Sequence, residues 1–169
     1  MRGLFITFEG IDGCGKSTQI DFLSKHFIEM KKPVVKTEEP GGTAGSNEIR
    51  KILLRENNFH WSVETEALLF MAARNDHVEK VIKPSLKDNK IVICDRFMDS
   101  TLVYQGMRSA KAKQLSLTLF ELIEINPDIT FLIDMEPEIA LNRALSRSCL
   151  LYTSPSPRDA TVSRLPACA

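Results

Sequence analysis

Apolar positions along the chain follow two alternating rhythms. Short, nearly continuous apolar runs cover Leu4 to Phe8, Pro33 to Lys36, Ile91 to Ile93 and Thr130 to Ile133. Their length and their β-branched and aromatic content predict buried strands. Between these runs, apolar residues recur every three or four positions, as in helices with one apolar face. This predicts helices over about 16–30, 45–55, 62–86, 99–125 and 136–146. The first carries Ile20, Leu23, Phe27 and Met30 on one face, and the fourth carries Leu115, Leu119, Leu122 and Ile123. Pro40-Gly41-Gly42 marks a break after the second strand. Asn126-Pro127 stops the fourth helix, because a residue before proline disfavours the helical region. Strands that alternate with helices, each strand apolar along most of its length, predict an α/β fold with a parallel sheet covered on both faces.

Composition narrows the function classes. A chain of 169 residues and 19.0 kDa has room for one domain. Lys plus Arg equals Asp plus Glu at 22 each, which argues against a general nucleic-acid or acidic-membrane binder, since these need a basic excess or stripe. No apolar run approaches the roughly 20 residues that cross a bilayer. Cys14, Cys94, Cys149 and Cys168 form no C-x-x-C pair and no zinc spacing with His26, His60 or His77, so a reducing, cytoplasmic setting is expected. From Cys149 to Ala169 neither rhythm continues. That stretch holds Pro155, Pro157 and Pro166 and no lysine. It reads as a disordered extension or, better, as the translation of a sequencing-adapter read-through, which puts the end of the native chain near Ser148. The expected organisation is one domain over 1–148 and an extraneous tail over 149–169.

Gly10-Ile-Asp-Gly-Cys-Gly-Lys16-Ser17 fits G-x-x-x-x-G-K-[ST], the phosphate-binding P-loop, and lies between a predicted strand and a predicted helix. Glycines permit a tight loop whose backbone N–H groups point inward as an anion nest, and the next helix adds its positive end. Lys16 is placed to reach the β- and γ-phosphates of ATP, and the Ser17 hydroxyl to ligate Mg²⁺. Gly10, Asp12, Gly13, Cys14, Gly15 and Thr18 complete the expected ATP-binding set. A carboxylate near the metal is expected at a strand end; Asp95 is the first choice and Asp134 the second. A switch GTPase is disfavoured, because its N-K-x-D is missing: Asn89-Lys90 is followed by Ile91 and Val92.

Four ordered motifs then carry a resemblance. They are Phe8-Glu-Gly-Ile-Asp-Gly-Cys-Gly-Lys-Ser-Thr18, Thr37-Glu-Glu-Pro-Gly-Gly-Thr43, Leu68-Leu-Phe-Met-Ala-Ala-Arg74 and Asp95-Arg-Phe-Met-Asp-Ser-Thr-Leu-Val-Tyr-Gln-Gly106. Over about 1–148 the chain resembles the thymidylate kinase family, P-loop enzymes that phosphorylate dTMP to dTDP with ATP. The resemblance implies a three-layer, nucleoside-monophosphate-kinase-like fold whose last strand and helix are missing here. It implies that Asp12 accepts from the 3′-hydroxyl of dTMP, that Phe70 stacks on thymine and that Arg74 bonds the base edge. Arg96 would hold the dTMP phosphate, a task suited to a planar, permanently charged donor. Tyr104 would occupy the space of a ribose 2′-hydroxyl, with Gln105 beside it, and Glu39 and Pro40 would line the substrate.

Two positions depart from the family pattern. Glu38 stands where bacterial members often have arginine, and Phe97 where tyrosine is usual. Gly13 occupies a position where some members carry a catalytic arginine. The chain therefore resembles the other type, in which a lid after the fourth strand supplies arginines, here Arg143 and Arg147. A homodimer through the helices at 62–86 and 99–125 is also implied. The competing readings are a kinase for another nucleotide or deoxynucleoside, or a nucleotide-binding module without catalysis if the tail is genuine.

Overall fold

The computed structural model describes residues 2–54 and 61–146. The elements in order are β1 (Leu4–Glu9), α1 (Lys16–Glu29), β2 (Val34–Glu38), α2 (Ala44–Leu54), α3 (Val63–His77), α4 (Lys83–Lys87), β3 (Ile91–Asp95), α5 (Met98–Thr101), α6 (Ala110–Ile123), β4 (Ile129–Leu132) and α7 (Pro137–Ser146). The strands form one sheet in the order β2-β3-β1-β4, and every neighbouring pair is parallel. Leu4 stands opposite Ile91 and Phe8 opposite Asp95, so the ends of β1 and β3 are level. This is the α/β architecture expected from the alternating runs.

The two-residue period of the strands sorts their side chains into two cores. Phe5, Val92 and Cys94 face one side, where Met71, Val78, Ile82, Leu86, Phe97, Met98 and Ile123 pack on them. Ile6, Phe8, Ile91 and Ile93 face the other, under Ile20, Leu23 and Phe27 of α1. Helices on both faces explain why β1 and β3 read as unbroken apolar runs. β4 lies at one edge of the described sheet, and all four of its residues are exposed, including Phe131 and Leu132.

Two long helices expected from periodicity are interrupted. The stretch 62–86 is α3, a wider π-helical turn at Val78–Ile82 and then α4. Pro84 has no N–H to bond a carbonyl one turn back, and the helix widens just before it. The stretch 99–125 is α5, a π-helical segment at Leu102–Gly106, a turn, and α6. The turn exists because the Ser109 hydroxyl accepts from the Ala112 N–H at 3.2 Å and so starts a new helix. α6 stops at Glu124, which turns left-handed with φ 54°. Leu122, expected on the apolar face, is 73% exposed, whereas Ile123 is buried.

Ser109 also donates to Glu64 Oε1 at 2.5 Å, which ties the start of α6 to α3. Ser109→Ala removes both bonds, and the expected loss is about 1–2 kcal/mol of unfolding free energy. A urea titration reads this as a lower midpoint at unchanged slope. An unchanged midpoint would show that water replaces the cap.

Candidate active site

In a parallel sheet the loops that follow the strands gather at one end, and ligands bind there where strand order reverses. Here β1, β2 and β3 deliver to that end the loop 10–15, the turn Glu39–Gly42 and the pair Asp95–Arg96. Gly15 fills the cap position of α1 with φ 102° and offers no side-chain acceptor, so the first N–H groups of α1 are left for an anion. Gly13 (φ 84°) lies against α7. A Cβ there would come within 2.0 Å of the Ala140 carbonyl oxygen, so position 13 cannot carry a side chain in this arrangement.

Lys16 is 6% exposed and curls inside its own loop. Its Nζ donates to the carbonyls of Gly10 (2.9 Å) and Ile11 (3.0 Å) and lies 3.8 Å from Asp12 Oδ1. Burial, with Arg96 adding like-charge repulsion, holds its pKa below the ordinary lysine value. Ser17 Oγ donates to Asp95 Oδ2 at 3.4 Å. Asp95 Oδ1 is buried and finds no hydrogen-bond partner among the described residues. Burial raises the Asp95 pKa against the pull of Lys16 and Arg96. Asp134, the second choice, comes two residues after β4 ends and is exposed.

Arg96 sits in the left-handed region, φ 68°, which is unusual for a residue with a Cβ. Its Nη2 donates to Asp12 Oδ1 at 2.7 Å and its Nη1 to Ser100 Oγ at 3.0 Å. The guanidinium carbon lies 5.4 Å from the centre of the Tyr104 ring, a cation–π distance. Lys16, Asp12, Arg96 and Tyr104 are thus linked through contacts, and the Ser17–Asp95 pair feels the charges of Lys16 and Arg96; each of the six was singled out in the sequence. Gln105 follows in the same π-helical segment and is buried. Cys14 is buried, and Thr18 is exposed on the first turn of α1.

The turn after β2 belongs to a second, buried network. Glu39 is 5% exposed and receives Arg74 Nε on Oε2 at 2.6 Å and His77 Nδ1 on Oε1 at 2.9 Å. Arg74 Nη2 donates to the Phe97 carbonyl (2.9 Å) and to Thr101 Oγ1 (3.0 Å), while Nη1 faces Met71 Sδ and Met98 Sδ. The guanidinium also lies 5.1 Å from the Phe97 ring centre. Arg74 shares a helix face with Phe70, is 3% exposed and has its donors engaged inside the protein in this arrangement. It pins α3 to the β2 and β3 loops. Phe70 is half-buried one helical turn earlier. Pro40 follows a cis peptide bond and accepts from Arg50 Nη1 at 2.6 Å.

Arg50 also answers the charge reversal at Glu38, lying 3.4 Å from its carboxylate. Arg143 is on α7, exposed, with Nη1 3.5 Å from Met135 Sδ. Arg147 and the tail 149–169 lie outside the described residues.

The sequence reading passed over four residues: Glu9, Ser100, Thr101 and His77. Glu9 closes a strand and is 4% exposed; burial raises its pKa against hydrogen bonds from Ser100 and Phe97. His77 is fully buried and shares a 2.6 Å hydrogen bond with Thr37 Oγ1. Gly42 (φ 87°) leaves room for it, since a Cβ there would meet the His77 ring at 2.3 Å. No spacing rule marks such residues, because the pairs Arg74–Thr101, Glu39–His77, Thr37–His77 and Glu9–Ser100 are separated by 27 to 91 positions. Glu39, His77 and Cys94 bring three ligand-type atoms within 4.8 Å of one another. Hydrogen bonds engage all three: Cys94 Sγ donates to the Arg96 carbonyl at 3.1 Å, and burial pushes its thiol well up. That donor set suits a structural knot better than a metal, which would need the thiolate.

Comparison with known proteins shows what the chain as a whole is similar to. The sequence model of the Thymidylate kinase family matches residues 8–155. Thymidylate kinase of Ruegeria pomeroyi is 51% identical over 146 residues, which cover 86% of this chain and 69% of that protein. The Dinoroseobacter shibae thymidylate kinase is 48% identical over 147 residues, covering 86% and 71% respectively. The crystal structure of thymidylate kinase from Ehrlichia chaffeensis superposes with a TM-score of 0.73 at 41% identity, covering 86% of this chain and 84% of that one.

Proposed function

Because the chain belongs to the thymidylate kinase family, we propose that it transfers the γ-phosphoryl group of ATP to dTMP, giving dTDP and ADP. The observation that carries this reading is the 2.7 Å contact between Arg96 and Asp12. It sets a fixed cation for an acceptor phosphate at the rim of the loop that receives the donor phosphates. The loop amides and Lys16 hold the β- and γ-phosphates, and Arg96 holds the phosphate of dTMP in line with them. Little covalent chemistry is left to the protein, whose part is positioning and neutralisation of charge.

Mg²⁺ is the cofactor this reading implies, and the residues fit it. Ser17 offers a hydroxyl, and Asp95 a carboxylate whose Oδ1 is buried without a partner among the described residues. Bound there, the ion would neutralise charge on the β- and γ-phosphate oxygens. Further neutralisation falls to Arg143 and Arg147, since Gly13 leaves the loop without an arginine. Asp12 takes the 3′-hydroxyl of dTMP, and Phe70 stacks on the base. Glu39, Pro40 and Gln105 line the substrate, and Arg74 bonds the base edge while its Nε holds Glu39. A homodimer belongs to the same reading, supported by Leu68 on α3 and Leu122 on α6, both large, apolar and exposed. No helix among the described residues is long and apolar enough to cross a membrane. Free thiols at Cys14 and Cys94 support a cytoplasmic setting.

ADP formation with dTMP, dUMP, UMP, dCMP, dGMP and dAMP as acceptors tests the assignment. Preference for dTMP supports it; preference for another acceptor would make the chain a kinase for that nucleotide. ATP binding without ADP formation would mark a non-catalytic module. Within the panel, Tyr104→Ala is expected to lower the dTMP-to-UMP ratio of kcat/KM by roughly 10-fold or more, because the ring fills the place of a 2′-hydroxyl. An unchanged ratio would remove that role from Tyr104.

A further inference from the structure

The left-handed backbone of Arg96 has to be held by something, because a residue with a Cβ rests there only when its surroundings over-determine it. Three contacts do so. The Arg96 N–H donates to the Phe8 carbonyl at 2.8 Å. The Phe97 N–H donates to Glu9 Oε1 at 2.7 Å. Cys94 Sγ donates to the Arg96 carbonyl at 3.1 Å. Glu9 reaches further. Its Oε2 accepts from Ser100 Oγ at 2.6 Å, and the Ser100 Oγ in turn accepts from Arg96 Nη1 at 3.0 Å. One carboxylate therefore fixes the backbone on one side of Arg96 and, through a single hydroxyl, the end of its side chain.

We propose that Glu9 and Ser100 are positioning residues that aim the Arg96 guanidinium at the acceptor phosphate, through the chain Glu9–Ser100–Arg96–Asp12. The proposal rests on the kinase reading above and adds to it two residues that need not touch either nucleotide. Ser100 orients the hydrogens of Nη1, and Asp12 those of Nη2, so the guanidinium is held at both ends. Its remaining donors are then presented in one orientation, which is what a bidentate phosphate contact requires. Glu9 makes this possible by giving the Ser100 proton a fixed acceptor. The Ser100 lone pairs are then left for Arg96. Without Glu9 the hydroxyl can rotate, and Arg96 loses both its backbone clamp and its side-chain guide.

Isothermal titration of the full chain with dTMP and, separately, with ATP and Mg²⁺ tests this on wild type, Glu9→Gln, Ser100→Ala and Ser100→Thr. Gln at position 9 presents one acceptor oxygen where the carboxylate presents two. The expected result is dTMP affinity weakened by about 10- to 100-fold in Glu9→Gln and Ser100→Ala, the effect of losing a charge-assisted contact. ATP affinity should change by no more than about 3-fold on this scale, and Ser100→Thr, which keeps the hydroxyl, should restore dTMP binding. A merely structural role would lower both affinities together and would be visible as a lower melting temperature. That pattern, or dTMP binding unaffected in Ser100→Ala, overturns the proposal. Should Glu9→Gln fail to fold, the Ser100 pair still decides, since its side chain is only partly buried. A wild-type chain that binds ATP but not dTMP would overturn the kinase reading as well.

Discussion

Lys16→Met is expected to lower kcat for ADP formation by about 10²- to 10³-fold or more, the range seen when a fixed donor to developing negative charge is removed. Its ammonium is nearly enclosed and bonded to two loop carbonyls, so its position is set before substrate arrives. Pre-set donors avoid reorganisation at the moment of reaction, which is where the rate advantage comes from. Methionine has similar length and keeps the loop filled, so thermal stability should change little compared with the rate. The check is single-turnover ADP formation at saturating dTMP beside a melting curve. A fall of less than 10-fold at unchanged stability would mean that the amides of the loop suffice and Lys16 only binds.

The largest expected effect on stability is at Arg74. Arg74→Met leaves the Glu39 carboxylate in the core with His77 as its remaining described partner. Removing one member of a buried ion pair costs about 3–5 kcal/mol, because the other charge stays behind without compensation. The loss here extends to the Phe97 carbonyl and Thr101 hydroxyl, which also accept from this guanidinium. Urea unfolding of Arg74→Met, Glu39→Gln and the double variant gives the coupling directly. The double variant should recover part of the loss, since a neutral side chain at 39 tolerates burial better. Equal losses that simply add would show that the two side chains do not act as a pair.

The parts of this protein that are legible in sequence are those governed by local rules. Ile91 to Ile93 reads as a buried strand because each residue is apolar, and the P-loop reads as a phosphate nest because the glycines and Lys16 are contiguous. Asp95 is legible for a related reason, since the end of a parallel strand is where a site residue belongs, whereas Arg96 is marked by the family resemblance alone. The break before α6 was missed, since Ser109 is a cap only if Ala112 turns to meet it, and helical spacing carries across such a gap. The helix face of Arg74 is legible from its spacing to Phe70, but its buried partners Glu39 and Phe97 are not, since they lie 35 and 23 positions away. Glu9 and His77 were passed over because a buried acid or imidazole announces itself only through the groups that fold around it.

The contact between Gly13 and Ala140 also links two parts of the molecule mechanically. With the loop backbone pressed against the first turns of α7 there is no slack to absorb a displacement, and Ala144 continues the same close approach one turn on. Packed surfaces of this kind transmit a shift rather than dissipating it. The nucleotide loop and α7 meet backbone to backbone, with Arg143 on the same helix. Any side chain at position 13 would have to push α7 away, so the loop that faces the phosphates and the helix that carries Arg143 tolerate change only together.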